Sequence, residues 1–328
     1  MVISQDRGDV VAQYNFQRSV NPVHPTYAPI SVEADSYGEY CEVVEALGSP
    51  PDVGWLPTEA GRAFRATAEV DLAHLMICAP TSRIDASLNG MVNSGALRSL
   101  LVIDPGAKVV SPFRLTEAWC GSLRLLYLDG PNLDAEMAAA LPNLEMLNLR
   151  GPSVLNLEAV PRSVRYLSAE DCDVQNPDAL ADLQHLESIR LASCRKVPSV
   201  DALPFEKLPA LRSLTLNGFS RSATLSFLKG LPSLEYLGLG GFSRVQDISP
   251  VLELPSLRLL NIWHPGLKNV DYSPLASLFG RPGFELLVGL RPKDMGLEKP
   301  PMPGVLYGGA RDEWMKLLQP PLLIHYYR

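Results

Sequence analysis

The clearest regularity along the chain is a short apolar pattern that returns at nearly even intervals. Each copy has apolar residues at its first, fourth and sixth positions, as in LPNLEMLNLRGP and LPSLEYLGLGGF. Alternation at positions 4 and 6 has the period of a β-strand, so these two side chains point to the same face. The first residues of the ten copies are Leu72, Leu97, Leu123, Leu144, Val164, Leu186, Leu211, Leu234, Leu257 and Phe284. The pattern predicts ten short strands, each with one apolar face.

The spacing of the copies indicates a repeat architecture. Successive starts differ by 25, 26, 21, 20, 22, 25, 23, 23 and 27 residues. A period of this length is typical of leucine-rich repeats, and the sequence resembles that family over roughly residues 70–292. The segments GFSRVQDISPVLELPSL and NVDYSPLASL are similar to the I-x-D-I-S-P-L segment of bacterial internalin-like repeats. The resemblance implies an α/β leucine-rich repeat solenoid. Its parallel sheet of about ten short strands would line the concave face, with 3₁₀ or irregular turns on the convex face.

The physics of short strands leads to the same architecture. A strand of about five residues is too short to be stable alone, whereas stacked repeats bury continuous apolar ladders at positions 1, 4 and 6. The segment between strands must supply the other wall of this core. Val245, Ile248, Val251 and Leu254 recur every three residues, which predicts a 3₁₀ or irregular turn there.

Position 9 departs from the family pattern, in which an Asn bonds to the turn backbone. The residues here are Pro80, Pro105, Pro131, Pro152, Cys172, Cys194, Phe219, Phe242, Pro265 and Pro292. Proline has no N–H that requires a partner, and Cys or Phe fills space. We therefore expect apolar packing at position 9 in place of an Asn ladder.

The repeats divide the chain into three predicted segments. Residues 67–292 form the solenoid, and residues 1–66 do not fit the pattern. A solenoid leaves an open apolar end that must be covered, so we interpret residues 1–66 as an N-terminal cap or small appended subdomain. A separate functional module is the alternative. Residues 293–328 are interpreted as a C-terminal cap, with a partner-docking tail as the alternative.

Position 2 shows a pattern of charge instead of hydrophobicity. The sign alternates at Arg124, Glu145, Arg165, Glu187, Arg212, Glu235, Arg258 and Glu285. Neighbouring strands of a parallel sheet place each of these charges between two opposite ones. Such cross-strand pairs contribute roughly 0.2–1 kcal/mol each. We interpret this row as a structural ion ladder that also fixes the register of the repeats.

Positions 3, 5 and 7 point away from the core, and solenoids commonly bind partners on that face. The middle of the stack combines Tyr, Met and Arg, which are enriched at the centres of protein interfaces, with carboxylates. The candidate partner-binding residues are Tyr127, Asp129, Met146, Asn148, Arg150, Tyr166, Glu170, Arg190, Tyr236 and Trp263. Ordinary exposed positions on a sheet, where aromatic residues favour strands, are the alternative interpretation.

Composition and charge restrict the classes of function. Hydrophobic residues make up 46% of the chain and charged residues 20%, which argues against disorder. The net charge of −7 disfavours a nucleic-acid partner, although a local basic patch is compatible with it. No apolar run is long enough to cross a bilayer, so we expect no membrane partner. The N-terminus lacks a secretory signal pattern and no CxxC pair exists, so we expect a cytoplasmic protein with reduced thiols.

The sequence offers little for catalysis. The five histidines match no metal-ligand spacing, and GLGGF lacks the Lys-Ser or Lys-Thr of a phosphate-binding loop. We therefore expect no enzyme, no cofactor and no metal. The favoured function is a monomeric, non-catalytic scaffold that binds a protein through the concave face. Within this class, an immunity- or inhibitor-type role is favoured. The alternatives are a regulatory adaptor or host-directed bacterial effector, an enzyme with its catalytic module in residues 1–66, and a self-assembling structural protein.

Overall fold

The computed structural model describes residues 74–78, 99–103, 120–130, 135–151, 154–197, 199–263, 267, 270–278, 281, 284–288 and 305–307. The chain divides into two compact units, and each is described by itself. The first contains the strands that precede Ser153, and the second is Val154–Trp314. The predicted N-terminal segment, residues 1–66, lies outside the described residues.

The described part of the first unit forms a four-stranded parallel sheet in the order β1-β2-β3-β4. The strands are β1 (His74–Cys78), β2 (Ser99–Ile103), β3 (Leu125–Asp129) and β4 (Met146–Arg150). A 3₁₀ helix, Ala135–Ala140, lies between β3 and β4. Equivalent positions of neighbouring repeats pair in register, so that Leu126 faces Leu147 and Leu128 faces Leu149.

The second unit continues the same construction. Its strands are β5 (Val154–Asn156), β6 (Tyr166–Glu170), β7 (Asp173–Gln175), β8 (Ser188–Ala192), β9 (Ser213–Asn217), β10 (Tyr236–Gly240), β11 (Leu259–Trp263), β12 (Glu285–Val288) and β13 (Val305–Tyr307). Seven of them form a parallel sheet in the order β6-β8-β9-β10-β11-β12-β13, and β5 pairs with β7. The 3₁₀ helices between them are Leu157–Ala159, Pro177–Asp182, Val200–Ala202, Phe205–Lys207, Ser226–Leu228, Ser249–Glu253 and Ser273–Leu278.

The predicted strands and core are confirmed. Each of the ten copies contains a strand, which begins at position 3 in nine copies and at position 2 in the last. Where the structure describes the side chains, positions 1, 4 and 6 are closed to solvent, as at Leu234, Leu237 and Leu239, which are all 0% exposed. On the turn side, Val245 and Val251 are buried, and Ser249–Glu253 is a 3₁₀ helix as predicted. This fold is a leucine-rich repeat solenoid.

Position 9 packs as expected where the structure describes it. Cys172 and Phe242 are 0% exposed, and the Phe219 and Phe242 rings lie 6.2 Å apart. Gly241, one residue before Phe242, has φ +72°, and a Cβ there would lie 2.7 Å from the backbone nitrogen of Gly218. Only glycine fits this close approach of two repeats.

A second stabilising ladder, which the sequence pattern did not reveal, lies on the turn side of the second unit. In four repeats, a short polar side chain accepts a hydrogen bond from the backbone N–H two residues later, at the start of a 3₁₀ helix. The acceptors are Asn156, Ser199, Thr224 and Asp247, and the donors are the amides of Glu158, Asp201, Ser226 and Ser249. This cap ladder satisfies helix N–H groups that would otherwise lack partners.

The predicted C-terminal segment contributes to the sheet. Within residues 293–328 the structure describes β13, which pairs in parallel with β12. The remainder of that segment lies outside the described residues.

Candidate partner-binding face

We call the surface formed by positions 3, 5 and 7 of the repeats the strand face. It lies opposite the buried ladders because side chains alternate along a strand. In the first unit, parallel pairing places Tyr127 beside Asn148 and Asp129 beside Arg150. The fifth candidate residue of this unit, Met146, occupies position 3 of the same strand as Asn148. The structure therefore brings these five sequence-predicted residues together on two adjacent strands.

In the first unit, Asp129 is the centre of a small polar network. The Tyr127 hydroxyl donates to Asp129 Oδ2 at 3.2 Å. Arg150 Nη1 lies 3.7 Å from the same oxygen, and its side chain is 40% exposed. The carboxylate thus orients both an aromatic side chain and a cation, while Arg150 stays open to solvent.

In the second unit, two ion pairs frame Tyr166. Arg190 Nη2 lies 3.1 Å from Glu170 Oε2 across β6 and β8. Arg165 Nε donates to Glu187 Oε1 at 2.9 Å, and the Tyr166 hydroxyl donates to Glu187 Oε2 at 3.4 Å. The Arg165 guanidinium also lies 5.6 Å from the centre of the Tyr166 ring, within cation–π range. Tyr166 is consequently held by its neighbours and remains partly exposed.

The two remaining candidates lie on β10 and β11. Tyr236 begins β10, and its hydroxyl accepts a hydrogen bond from Asn261 Nδ2 at 3.2 Å. Trp263 ends β11, where its backbone pairs with Gly240. The side chain of Trp263 lies outside the described part of the structure.

The strand face is less open than the alternation pattern led us to expect. Tyr127 and Tyr236 are 2% exposed, Asn148 4%, Met146 5% and Arg190 9%. The candidates that keep substantial solvent contact are Asp129 and Arg150 in the first unit and Tyr166 and Glu170 in the second. Within each unit, the other candidates whose side chains the structure describes are buried.

Accessible and buried candidates alike make polar contacts. A further polar, ring or electrostatic interaction within the chain is made by Tyr127, Asp129, Arg150, Tyr166, Glu170, Arg190 and Tyr236. By contrast, Asn148 Nδ2 and Ser168 Oγ are buried and have no hydrogen-bond partner among the residues that the structure describes. An unsatisfied buried polar group costs about 1–3 kcal/mol. No sequence pattern predicts either atom, because only its closed surroundings make it unusual.

The charged row at position 2, here called the charge rim, forms the predicted cross-strand pairs in part. Arg124 Nε lies 4.0 Å from Glu145 Oε1 in the first unit. In the second unit, Glu235 accepts from Arg212 Nε at 2.7 Å and lies 3.8 Å from Arg258.

The rim differs from a strict alternation in one respect. Glu187 pairs with Arg165, and in the described residues no ion pair within 4.0 Å joins it to Arg212. The second unit therefore contains a pair followed by a triad. The side chains of Glu145, Glu187 and Glu235 are 29%, 27% and 28% exposed, so these rim carboxylates combine fixed geometry with access to solvent.

Thiol chemistry is suppressed at the stacked cysteines. Cys194 Sγ lies 3.5 Å from the carbonyl oxygens of both Ala169 and Ala192. Burial raises the pKa of the Cys194 thiol to about 12, and the adjacent Cys172 raises it further. Near neutral pH this thiol is therefore protonated, and the protonated form is a weak nucleophile.

In the part of the chain that the structure describes, no three or more His, Cys, Asp or Glu side chains are grouped so as to hold a metal ion. Among the same residues, no helix has the length and apolar character needed to cross a bilayer.

Comparison with known proteins finds similarity in structure alone. No model of a protein family matches the chain, and no curated protein matches it in sequence. A leucine-rich repeat protein of Leptospira interrogans is 17% identical, with 75% of this chain and 70% of that chain covered and a TM-score of 0.45. Internalin C2 of Listeria monocytogenes is 15% identical, with 72% and 98% covered and a TM-score of 0.35. The leucine-rich repeat domain of a type III effector is 16% identical, with 88% and 97% covered and a TM-score of 0.38.

Proposed function

We propose that this protein is a non-catalytic scaffold that binds another protein along the strand face of its repeats. The observation that carries the proposal is the arrangement around Tyr166, which is held by the Arg165–Glu187 pair while all three side chains remain partly exposed. Glu170, on the same strand, is held separately by Arg190 and is also partly exposed. Tyr and Arg dominate the energetics of protein interfaces when they are held in place. Preorganised side chains also lose less entropy when a partner binds.

Solvent exposure separates the candidates that could contact a partner directly from those that could not. Arg150, Asp129, Tyr166 and Glu170 are accessible and serve as contact residues. Tyr127, Met146 and Asn148 in the first unit, and Arg190 and Tyr236 in the second, are buried and stabilise the strand face of their own unit. Trp263 stays a proposed contact at the end of β11.

Within this class we favour an immunity- or inhibitor-type role, in which the scaffold sequesters a basic toxin or enzyme. The net charge of −7 supports this choice, because opposite charge accelerates association with a basic partner. A regulatory adaptor or effector would be distinguished by the identity of the captured protein.

The test is affinity capture from the source cell followed by binding measurements with the purified partner. The face variant combines Arg150→Ala with Tyr166→Ala. Its control combines Arg162→Ala with Val154→Ala, two exposed positions away from the strand face. We expect the control to bind like the natural protein and the face variant to bind at least about tenfold more weakly, or about 1.4 kcal/mol. Unchanged affinity of the folded face variant for the identified partner would reject this face.

A further inference from the structure

Cys172 and Cys194 lie opposite each other in adjacent repeats of the second unit. Strands β6 and β8 pair with one constant offset of 22 residues. The same offset recurs just beyond the cysteines, where Asp173 forms a parallel bridge with Arg195. Cys172 and Cys194 are also 22 residues apart, and the Arg195 N–H donates to the Cys172 carbonyl oxygen at 2.8 Å. The register is therefore kept on both sides of the pair, so the two cysteines are stacked directly.

The two thiols have the same local geometry. Cys172 Sγ lies 3.3 Å from the carbonyl oxygen of Glu170, two residues earlier in the chain. Cys194 Sγ lies 3.5 Å from the carbonyl oxygen of Ala192, which is also two residues earlier. The same sulfur lies 3.5 Å from the carbonyl oxygen of Ala169, in the repeat that contains Cys172. The Cys194 sulfur therefore lies between the two repeats.

The spacing of the stack distinguishes between the reactions that two thiols can share. Equivalent atoms of adjacent strands are about 4.8 Å apart. A disulfide requires its two Cβ atoms to approach to about 3.5–4.5 Å, so these repeats would have to move together. Two collinear metal–thiolate bonds of about 2.3 Å, the length that zinc makes with sulfur, span about 4.6 Å. The stack therefore fits a two-coordinate metal ion without a shift of the backbone.

The surroundings of the pair are shielded but not closed. Cys172 is 0% exposed, and Cys194 is half-buried, so a small ion can reach the sulfurs from the Cys194 side. Burial raises the pKa of the Cys194 thiol to about 12, whereas the Arg190 guanidinium acts in the opposite direction. A bound metal ion removes the proton from a coordinating thiol, because its positive charge stabilises the thiolate. The charge of Arg190 also favours a complex of two thiolates with one monovalent cation, which is negative.

We propose that Cys172 and Cys194 bind one copper(I) ion in linear coordination. Thiolate ligands select copper(I), zinc and iron–sulfur clusters. Zinc and iron–sulfur clusters take four ligands, and among the described residues no three or more His, Cys, Asp or Glu side chains are grouped to hold an ion. Binding breaks two S–H bonds, forms two Cu–S bonds and releases two protons, and the copper stays monovalent. This site goes beyond the proposed protein-binding function and does not depend on it.

The test is anaerobic titration of the full chain with copper(I) bound to bicinchoninate, whose colour fades as copper passes to the protein. Cys172→Ala and Cys194→Ser each remove one ligand. The control is Cys120→Ser, at a partly exposed cysteine of the first unit. Cys41 and Cys78 are present in every variant, so differences between variants report on the stacked pair.

We expect the natural protein to take up one copper ion that neither site variant retains. The affinity at this site should fall at least about 100-fold in each, since loss of a group that only orients a ligand already costs about 10–100-fold. The control should stay within about twofold of the natural protein. X-ray absorption at the copper edge should show two sulfur neighbours.

The dependence of copper affinity on pH separates a two-thiol site from binding by one cysteine. Below the ordinary thiol pKa of about 8.5, each thiol that becomes a ligand releases one proton. The affinity should therefore rise about 100-fold per pH unit between about pH 6 and 7, against about tenfold for a site with a single thiol.

Three results would overturn the proposal: equal copper affinity in the natural protein and both folded site variants, a third ligand at the copper edge, or ready formation of a Cys172–Cys194 disulfide by oxidised glutathione in the folded chain. The last result would show that the repeats close to disulfide distance. If Cys194→Ser impairs folding, Cys194→Ala replaces it with the same expected loss. Neither cysteine belongs to the strand face, so a failure here is separate from a failure of the proposed function.

Discussion

Arg190 on β8 and Glu170 on β6 form an ion pair of 3.1 Å in which the arginine side chain is only 10% exposed. Replacing Glu170 with Ala leaves the nearly buried Arg190 guanidinium without this carboxylate. We expect the free energy of unfolding to fall by about 2–3 kcal/mol, because breaking a buried pair strands the remaining charge. Chemical denaturation measures the change.

The exposed pair of Arg162 and Asp182 provides the comparison for that prediction. Their side chains are 78% and 64% exposed, and the ionic atoms lie 3.3 Å apart. Asp182→Ala should change stability by less than about 0.5 kcal/mol. Equal losses in the two variants would contradict the role assigned to burial.

Two buried serines should respond in opposite directions to the same substitution. Within the described part of the chain Ser168 Oγ has no hydrogen-bond partner, whereas Ser222 Oγ accepts from the Val200 amide at 3.0 Å. Ser168→Ala removes an unsatisfied polar atom and should leave stability unchanged or raise it by up to about 1 kcal/mol. Ser222→Ala orphans a buried N–H and should lower stability by about 1–2 kcal/mol. Destabilisation by Ser168→Ala equal to that of Ser222→Ala would show that the Ser168 hydroxyl is satisfied.

Cys194 should resist alkylation in the folded protein. With a pKa of about 12, its thiol is almost wholly protonated at pH 8, and the thiolate is the reactive form. Iodoacetamide labelling followed by peptide mass spectrometry should show Cys194 reacting at least about a hundredfold more slowly than in denaturant. A native rate close to the denatured rate would refute the burial of this thiol.

Asp247 should make stability depend on acid pH. Hydrogen bonds from the Ser249 amide and hydroxyl hold the pKa of its carboxyl below the ordinary value of 3.8. A depressed folded-state pKa adds stability that is present above the unfolded pKa and lost as pH falls through the folded pKa. Melting temperatures between about pH 2 and 6 should fall less steeply in Asp247→Asn, which keeps an acceptor but does not titrate. Parallel curves for the two proteins would exclude this contribution.

The strands and the core were predictable because hydrophobic alternation directly encodes which side of a strand is buried. Leu234, Leu237 and Leu239 are a complete example. Alternation does not say whether the opposite side is also covered, and Tyr127 was therefore expected on an open surface although it is 2% exposed. The charge rim was predictable as a row. Whether Glu187 pairs with Arg165 or with Arg212 depends on side-chain conformation, which the spacing of the repeats does not determine.

The sequence pattern did not predict the cap ladder, for a different reason. Asn156, Ser199, Thr224 and Asp247 share a short side chain with an acceptor atom, but they do not share a residue type. A search for identical residues misses them. A search for any short acceptor two residues before the donor amide would find all four.

Because the sign of the charge rim alternates, successive repeats are of two kinds, one with Arg and one with Glu at position 2. Arg165, Glu187 and Arg212 occupy successive repeats, so loss of the middle repeat would place two arginines side by side. Loss of two consecutive repeats would restore an arginine beside a glutamate. This array is therefore expected to tolerate growth or shortening by repeat pairs better than by single repeats, both in engineered versions and over evolutionary time.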